Sequence, residues 1–200
     1  DNPYGELGNG TYTTSAMPVL VTSLNRVISI AAGSSYSLAL TSDGRVWSWG
    51  DNRLGALGTG SDLGSPVPIM LNDLNGVIAI AAGSNHNFAL TNDGRLWGWG
   101  YNADGELGDG TNVARNVPVQ VKNLSGIVGF ASGGYYSLAV DSAGDVWTWG
   151  SNVNGELGSG NAATRNVPVQ ISMHNALAVA AGDFHSLEIG IAAEDGLQSS

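Results

Sequence analysis

The sequence predicts an all-β fold of repeated sheets stacked side by side as the blades of a β-propeller, and three observations carry that reading. The 200 residues align with themselves at a shift of fifty, giving four rows at about 1–50, 51–100, 101–150 and 151–200 that read as one repeat domain. Thirty glycines without a collagen period place many turns along the chain. Apolar runs short enough for strands lie between those turns, and no sustained helical period competes with them.

The elements of one row justify this in order. Gly5-Glu6-Leu7-Gly8, closed by Gly10, recurs as Gly55-Ala56-Leu57-Gly58, Gly105-Glu106-Leu107-Gly108 and Gly155-Glu156-Leu157-Gly158, a glycine-rich turn. Pro18-Val19, Pro68-Ile69, Pro118-Val119 and Pro168-Val169 follow at the same phase. Val27-Ile28-Ser29-Ile30-Ala31-Ala32 is a continuous apolar run, which predicts a strand buried on both faces. Ser37-Leu38-Ala39-Leu40 and Arg45-Val46-Trp47-Ser48-Trp49 flank Asp43-Gly44, and an Asp-Gly pair between two β-prone runs is a strong hairpin signal. Strands of this kind need a sheet on either side, which neighbouring blades supply. A β-solenoid would repeat at shorter intervals.

The linked motifs A-x-G-x-x-[HY]-S-L-A-L, D-G-x-V-W-x-W-G and N-x-x-G-E-L-G-x-G resemble the repeat of the regulator of chromosome condensation family over nearly the whole chain. The resemblance implies a ring that typically has seven blades, of which four rows are somewhat more than half. The chain opens where a Trp-x-Trp-Gly strand would just have ended, and the fourth row runs into Glu194-Asp195-Gly196-Leu197-Gln198 without its final tryptophan strand. The expectation is therefore a partial ring, a fragment of a longer propeller, or a ring completed by oligomerisation of copies, in preference to four blades closing by themselves. The family roles that the resemblance suggests are nucleotide exchange on a small GTPase, chromatin docking and inhibition of a secreted hydrolase.

Charge and composition narrow the partners. Net charge is −10, with seven lysines and arginines against seventeen acids, a balance that repels nucleic acid and anionic lipid. No apolar run approaches the ~20 residues of a membrane-spanning helix. The absence of cysteine removes thiolate chemistry but leaves the compartment open, and the first residue, not a methionine, is expected to mark a processing boundary. A secreted or cell-surface bacterial protein suits this composition.

Candidate chemistry is sparse, and the chain is expected to be no enzyme and to hold no cofactor or metal. His86 and His185 occupy a position filled elsewhere by Tyr36 and Tyr136, so a buried aromatic with a polar tip reaching the next blade is expected; His174 stands alone in a loop. Glu6, Glu106 and Glu156, beside Asn102, Asp104 and Asp109, lack the glycine placement of a calcium loop and read as anchors of the turn through backbone N–H groups. Gly-x-Leu-Gly-x-Gly lacks the lysine and helix of a phosphate loop. Trp47, Trp49, Trp97, Trp99, Trp147 and Trp149, spaced by two, read as core between blades.

What varies on this constant frame points to binding. The residue before each His or Tyr runs Ser35, Asn85, Tyr135, Phe184, and the residue after each Trp-Gly runs Asp51, Tyr101, Ser151. Variable loop residues on a fixed scaffold are how a repeat surface takes on a partner. The reading is a protein-interaction module that binds through one rim; the alternatives are a purely structural or self-assembling segment of a larger bacterial surface or secreted protein, and a polysaccharide-active enzyme with clustered carboxylates.

Overall fold

The computed structural model describes residues 1–190. The first sheet is an antiparallel meander of β1 (Val27–Ala32), β2 (Tyr36–Thr41), β3 (Val46–Gly50) and β4 (Ser65–Met70). The second repeats it with β5 (Val77–Ala82), β6 (His86–Thr91), β7 (Leu96–Gly100) and β8 (Arg115–Gln120), and the third with β9 (Ile127–Ser132), β10 (Tyr136–Asp141), β11 (Val146–Gly150) and β12 (Arg165–Gln170). A two-stranded sheet of β13 (Ala176–Ala181) and β14 (Ser186–Gly190) ends the described residues, and none of these is helical. The expected final segment, Glu194 to Gln198, lies outside them.

The hairpins fall where the turn residues put them. Leu40 faces Val46 across the Asp43-Gly44 turn, and Leu90 faces Leu96 across Asp93-Gly94. The fourth strand was not legible as one. Pro66 and Pro68 stand inside β4, and proline cannot donate to a ladder, so it is confined to edges. Here β4, β8 and β12 are the outer edges of their sheets, paired on one side only. Each row boundary consequently falls inside a sheet, between its third and fourth strands. The equivalent stretch of the first row, 15–20, has no such strand beside it and is not itself a strand.

Sheets stack through apolar faces. The first two strands of one sheet lie against the first strand of the next: β1 and β2 on β5, β5 and β6 on β9, β9 and β10 on β13. Between the first and second sheets Tyr36, Leu38 and Leu40 meet Val77, Ala89 and Trp99, with Leu57, Leu71 and Leu74 closing the layer. Between the second and third, Phe88 and Leu90 meet Ile127, Ala139 and Trp149. Val140 and Val146 meet Ala176 and Val179 at the third junction.

The innermost strand is not buried on both faces, which corrects the expectation drawn from its apolar run. Each inner strand carries a β-bulge at its second residue, and the extra residue is aimed away from the junctions. Those residues, Ile28, Ile78, Val128 and Leu177, are between 56% and 62% exposed. The ring is not closed among the described residues: the outer face of the first sheet and that of the last are both open.

Candidate functional site

Alternating strand directions send the loops 33–35 and 51–64, with their counterparts in later sheets, to one rim, and the Asp-Gly turns to the other. The first rim is built from a few repeated side-chain devices.

An asparagine organises each long loop. Asn52 Oδ1 accepts from the Leu57 N–H at 2.8 Å while its Nδ2 donates to the carbonyls of Ser61 and Leu63. Asn2, Asn102 and Asn152 repeat this at their own loops. One buried amide thus satisfies main-chain groups up to eleven residues away from it. The signal was present in the sequence as the invariant asparagine of N-x-x-G-E-L-G-x-G, which the reading quoted without assigning a role.

The glutamates anchor the turn as expected: Glu6 Oε2 accepts from the Tyr4 N–H, Glu106 Oε2 from Asp104 N–H, and Glu156 Oε2 from Asn154 N–H, at 2.9, 2.9 and 2.8 Å. Identical roles carry opposite electrostatics. Asn154 Nδ2 donates to the second oxygen of Glu156; hydrogen bonds from its own turn outweigh burial and hold its pKa below the usual value. At Glu106 the matching residue is Asp104, the buried Oε1 has no partner, and burial, with Asp104 adding to it, pushes the pKa up to about 7.

The turn carbonyls also receive the next strands. Ser37 Oγ and Trp49 Nε1 both donate to Glu6 O, Asn87 Nδ2 and Trp99 Nε1 to Ala56 O, and Ser137 Oγ and Trp149 Nε1 to Glu106 O. Trp49, Trp99 and Trp149 are core, as expected; Trp47, Trp97 and Trp147 are only half buried.

The His/Tyr column ties blade to blade. Tyr36 OH donates to the carbonyl oxygens of Gly83 and His86, at 3.0 and 3.2 Å, and Tyr136 OH to those of Gly182 and His185. His86 Nε2 lies 3.0 Å from Ser137 Oγ. That hydroxyl already donates to Glu106 O, so it accepts here and the His86 proton sits on Nε2. Burial pushes the His86 pKa down to about 4. His185 departs from the expectation of burial: it is exposed, because no blade covers it among the described residues.

The two variable columns meet. Asp51 N–H donates to Ser35 O at 2.8 Å, Tyr101 N–H to Asn85 O at 2.9 Å, and Ser151 N–H to Tyr135 O at 2.8 Å. The bond needs glycine before it. Gly50 has φ 107°, and a Cβ there would lie 2.6 Å from Ser35 O. Across the blade boundary the rings of Tyr101 and Tyr135 stand edge to face, 6.0 Å apart. Tyr135 and Phe184 are exposed, whereas Ser35, Asn85, Asp51 and Tyr101 are half buried. The structure brings Ser35 to Asp51, Asn85 to Tyr101 and Tyr101 to Tyr135, and puts Phe184 on the same rim before β14. It adds two residues the sequence reading passed over: Arg53 pairs with Asp51 at 2.8 Å, and its guanidinium lies 4.7 Å from the centre of the Tyr4 ring. On the inner side of this rim a polar cavity of about 250 Å³ is lined by Gly33, Ser34, Gly83, Ser84, Gly133 and Asp183.

Comparison with known proteins matches residues 1–195 to the model of the RCC1-like domain. A stretch of 52 residues, 24% of this chain, is 48% identical to the E3 ubiquitin-protein ligase HERC2 of Homo sapiens, of which it covers 1%. The fold is similar to that of human WBSCR16, with a TM-score of 0.84 at 24% identity over 95% of this chain and 52% of that one. It is similar too to Prp20p from Saccharomyces cerevisiae, with a TM-score of 0.77 at 27% identity over 86% of this chain and 45% of that one. The chain thus spans about half the length of these solved structures. The Prp20p structure was described together with that protein's binding to Gsp1p and histones.

Proposed function

The chain belongs to the RCC1-like domain family, and on that premise we propose that it is a non-catalytic protein-interaction module, acting as one repeat domain and binding a protein partner through the rim that carries Ser35, Asn85, Tyr135, Phe184, Asp51 and Tyr101. The supporting observation is the main-chain link between the two variable columns. It joins residues that are scattered in the sequence into a pair on each sheet, and the Tyr101–Tyr135 ring contact carries the surface across from the second sheet to the third. Aromatic side chains held this way on a rigid frame are the usual source of binding energy at interfaces. A relative's binding to Gsp1p and histones agrees with a protein as partner, and the −10 charge of this chain favours a protein over nucleic acid.

The polysaccharide-active alternative needs clustered carboxylates, whereas Glu106 and Glu156 are each bound to a backbone N–H of their own turn. The test is site-resolved crosslinking. A photoreactive benzoylphenylalanine at position 135 should capture a partner, and one at position 142 on the opposite rim should not. Tyr135→Ala with Phe184→Ala should lose a partner found by affinity capture, whereas Asn92→Ala with Ser142→Ala should keep it. Equal capture from both rims would refute the assignment.

A further inference from the structure

The loop joining β7 and β8 carries two neighbouring carboxylates that lack a cation. Glu106 is fully buried, its Oε2 accepts from the Asp104 N–H, and its Oε1 has no partner. In the next row that second oxygen is met by the side-chain amide of Asn154. Asp104 stands at the same position and brings an acceptor where the amide brings a donor. Among the described residues neither acid takes part in an ion pair.

Tyr101 opens the same loop, and both acids act on it. Burial, and after it the negative charge of Glu106 and of Asp104, holds its hydroxyl above the usual tyrosine value. Its ring meets Tyr135 edge to face, so an aromatic surface and a negative field coincide there. Arg53 and Arg115, in the loops of the same rim, are already held by Asp51 and Asp109. Arg53 also shows the geometry such a surface takes: its guanidinium lies against the Tyr4 ring with a carboxylate beside it. At Tyr101 the ring and the carboxylate are present and the cation is missing. The turn is closed over by the third sheet, which contributes Ser137 and Trp149, both without charge. Arg165 of that sheet approaches Gly105 with its carbonyl oxygen, while its side chain lines a cavity at its own loop.

We propose that the protein partner of this rim presents an arginine that stacks on the Tyr101–Tyr135 pair and sets its guanidinium at the half-buried Asp104 carboxylate. A guanidinium suits this place better than an ammonium, because it is planar, weakly hydrated, and able to lie on a ring while its fork meets a carboxylate. Buried Glu106 contributes through space, by its charge. The inference rests on the rim reading and names the side-chain chemistry that the rim receives.

The probe is a synthetic capped tripeptide, glycine-arginine-glycine, titrated into the isotope-labelled 200-residue chain and followed by NMR. Shifts are expected at Tyr101, Asp104 and Tyr135, and the matched citrulline peptide, which keeps the shape without the charge, should produce none. Asp104→Asn should weaken arginine binding about fivefold, while Asp73→Asn on the opposite rim should leave it unchanged. Affinity should rise about twofold from pH 6 to pH 8, because Glu106, its pKa pushed up by burial to about 7, gains its charge in that window while arginine keeps its own. Equal shifts from the two peptides, an unweakened Asp104→Asn or a flat pH response would each overturn the proposal. Those failures leave the rim assignment standing so long as crosslinking from position 135 exceeds that from position 142. Equal capture from both rims would remove the assignment and the arginine together.

Discussion

The second sheet and the two end sheets carry the same residue types at the same positions, yet they are buried to very different degrees. Val77 is 3% exposed at the first junction, while its counterpart Val27 on the open face is 40% exposed. Leu38 and Leu138 are buried, and Leu187 is not. No strand of this fold buries itself; its neighbour does. Stability in such a chain is a sum of blade terms and nearest-neighbour terms, so the same substitution should have different costs at different rows.

The largest expected effect tests this directly. Leu38→Ala removes a fully buried side chain at a filled junction and should cost about 2–5 kcal/mol in urea unfolding. Leu187→Ala, at the equivalent place but 61% exposed, should cost no more than about 0.5 kcal/mol. Similar costs at both would break the comparison.

His86 sharpens it through pH. Its folded pKa is depressed to about 4 from 6.5, so the unfolded chain takes up a proton in that window and the folded chain does not. The stability this group allows is full above pH 6.5 and is lost as pH falls towards 4, a loss of about 3 kcal/mol. His86→Tyr, which installs the side chain of the first and third sheets, should flatten the acid limb of the stability curve. The measurement is denaturant unfolding across that pH range.

A smaller effect separates two turns of one design. Glu106 has a folded pKa raised to about 7, so the fold favours its protonated form, and that contribution is lost as pH rises from about 4.5 to 7. Asp104→Asn, which copies the Asn154 arrangement, should lower the Glu106 midpoint in a carboxyl NMR titration. It should also add about 1 kcal/mol at pH 7 by pairing the lone Oε1. An unmoved midpoint would show that burial alone sets it.

What the sequence revealed and what it hid divide along the same physical line. The Asp-Gly hairpins, the buried Trp49, Trp99 and Trp149, the tie from Tyr36 to the next blade and the glutamate-anchored turns depend on local chemistry that recurs from row to row, and all were legible. The exposure of His185, Leu187 and Ile30 was not, because it depends on whether a neighbour stands beside an unchanged residue. The outer strand β4 was hidden by its prolines, which suit an edge and disguise a strand. The outward aim of Ile28 follows from a bulge, which shifts the alternation that an apolar run would otherwise imply. Ser35 and Asp51 were each singled out, but their pairing was invisible: the bond between them uses backbone atoms, which every residue has.

That bond has an evolutionary consequence. Because the amide of residue 51, 101 or 151 meets the carbonyl of residue 35, 85 or 135 whatever side chains those residues carry, each blade offers two addresses whose content can be rewritten without disturbing the frame. A lineage could retarget one blade at a time, keeping the other contacts as an anchor while a new one is tried. A library randomised at those six positions alone would be the laboratory form of the same process.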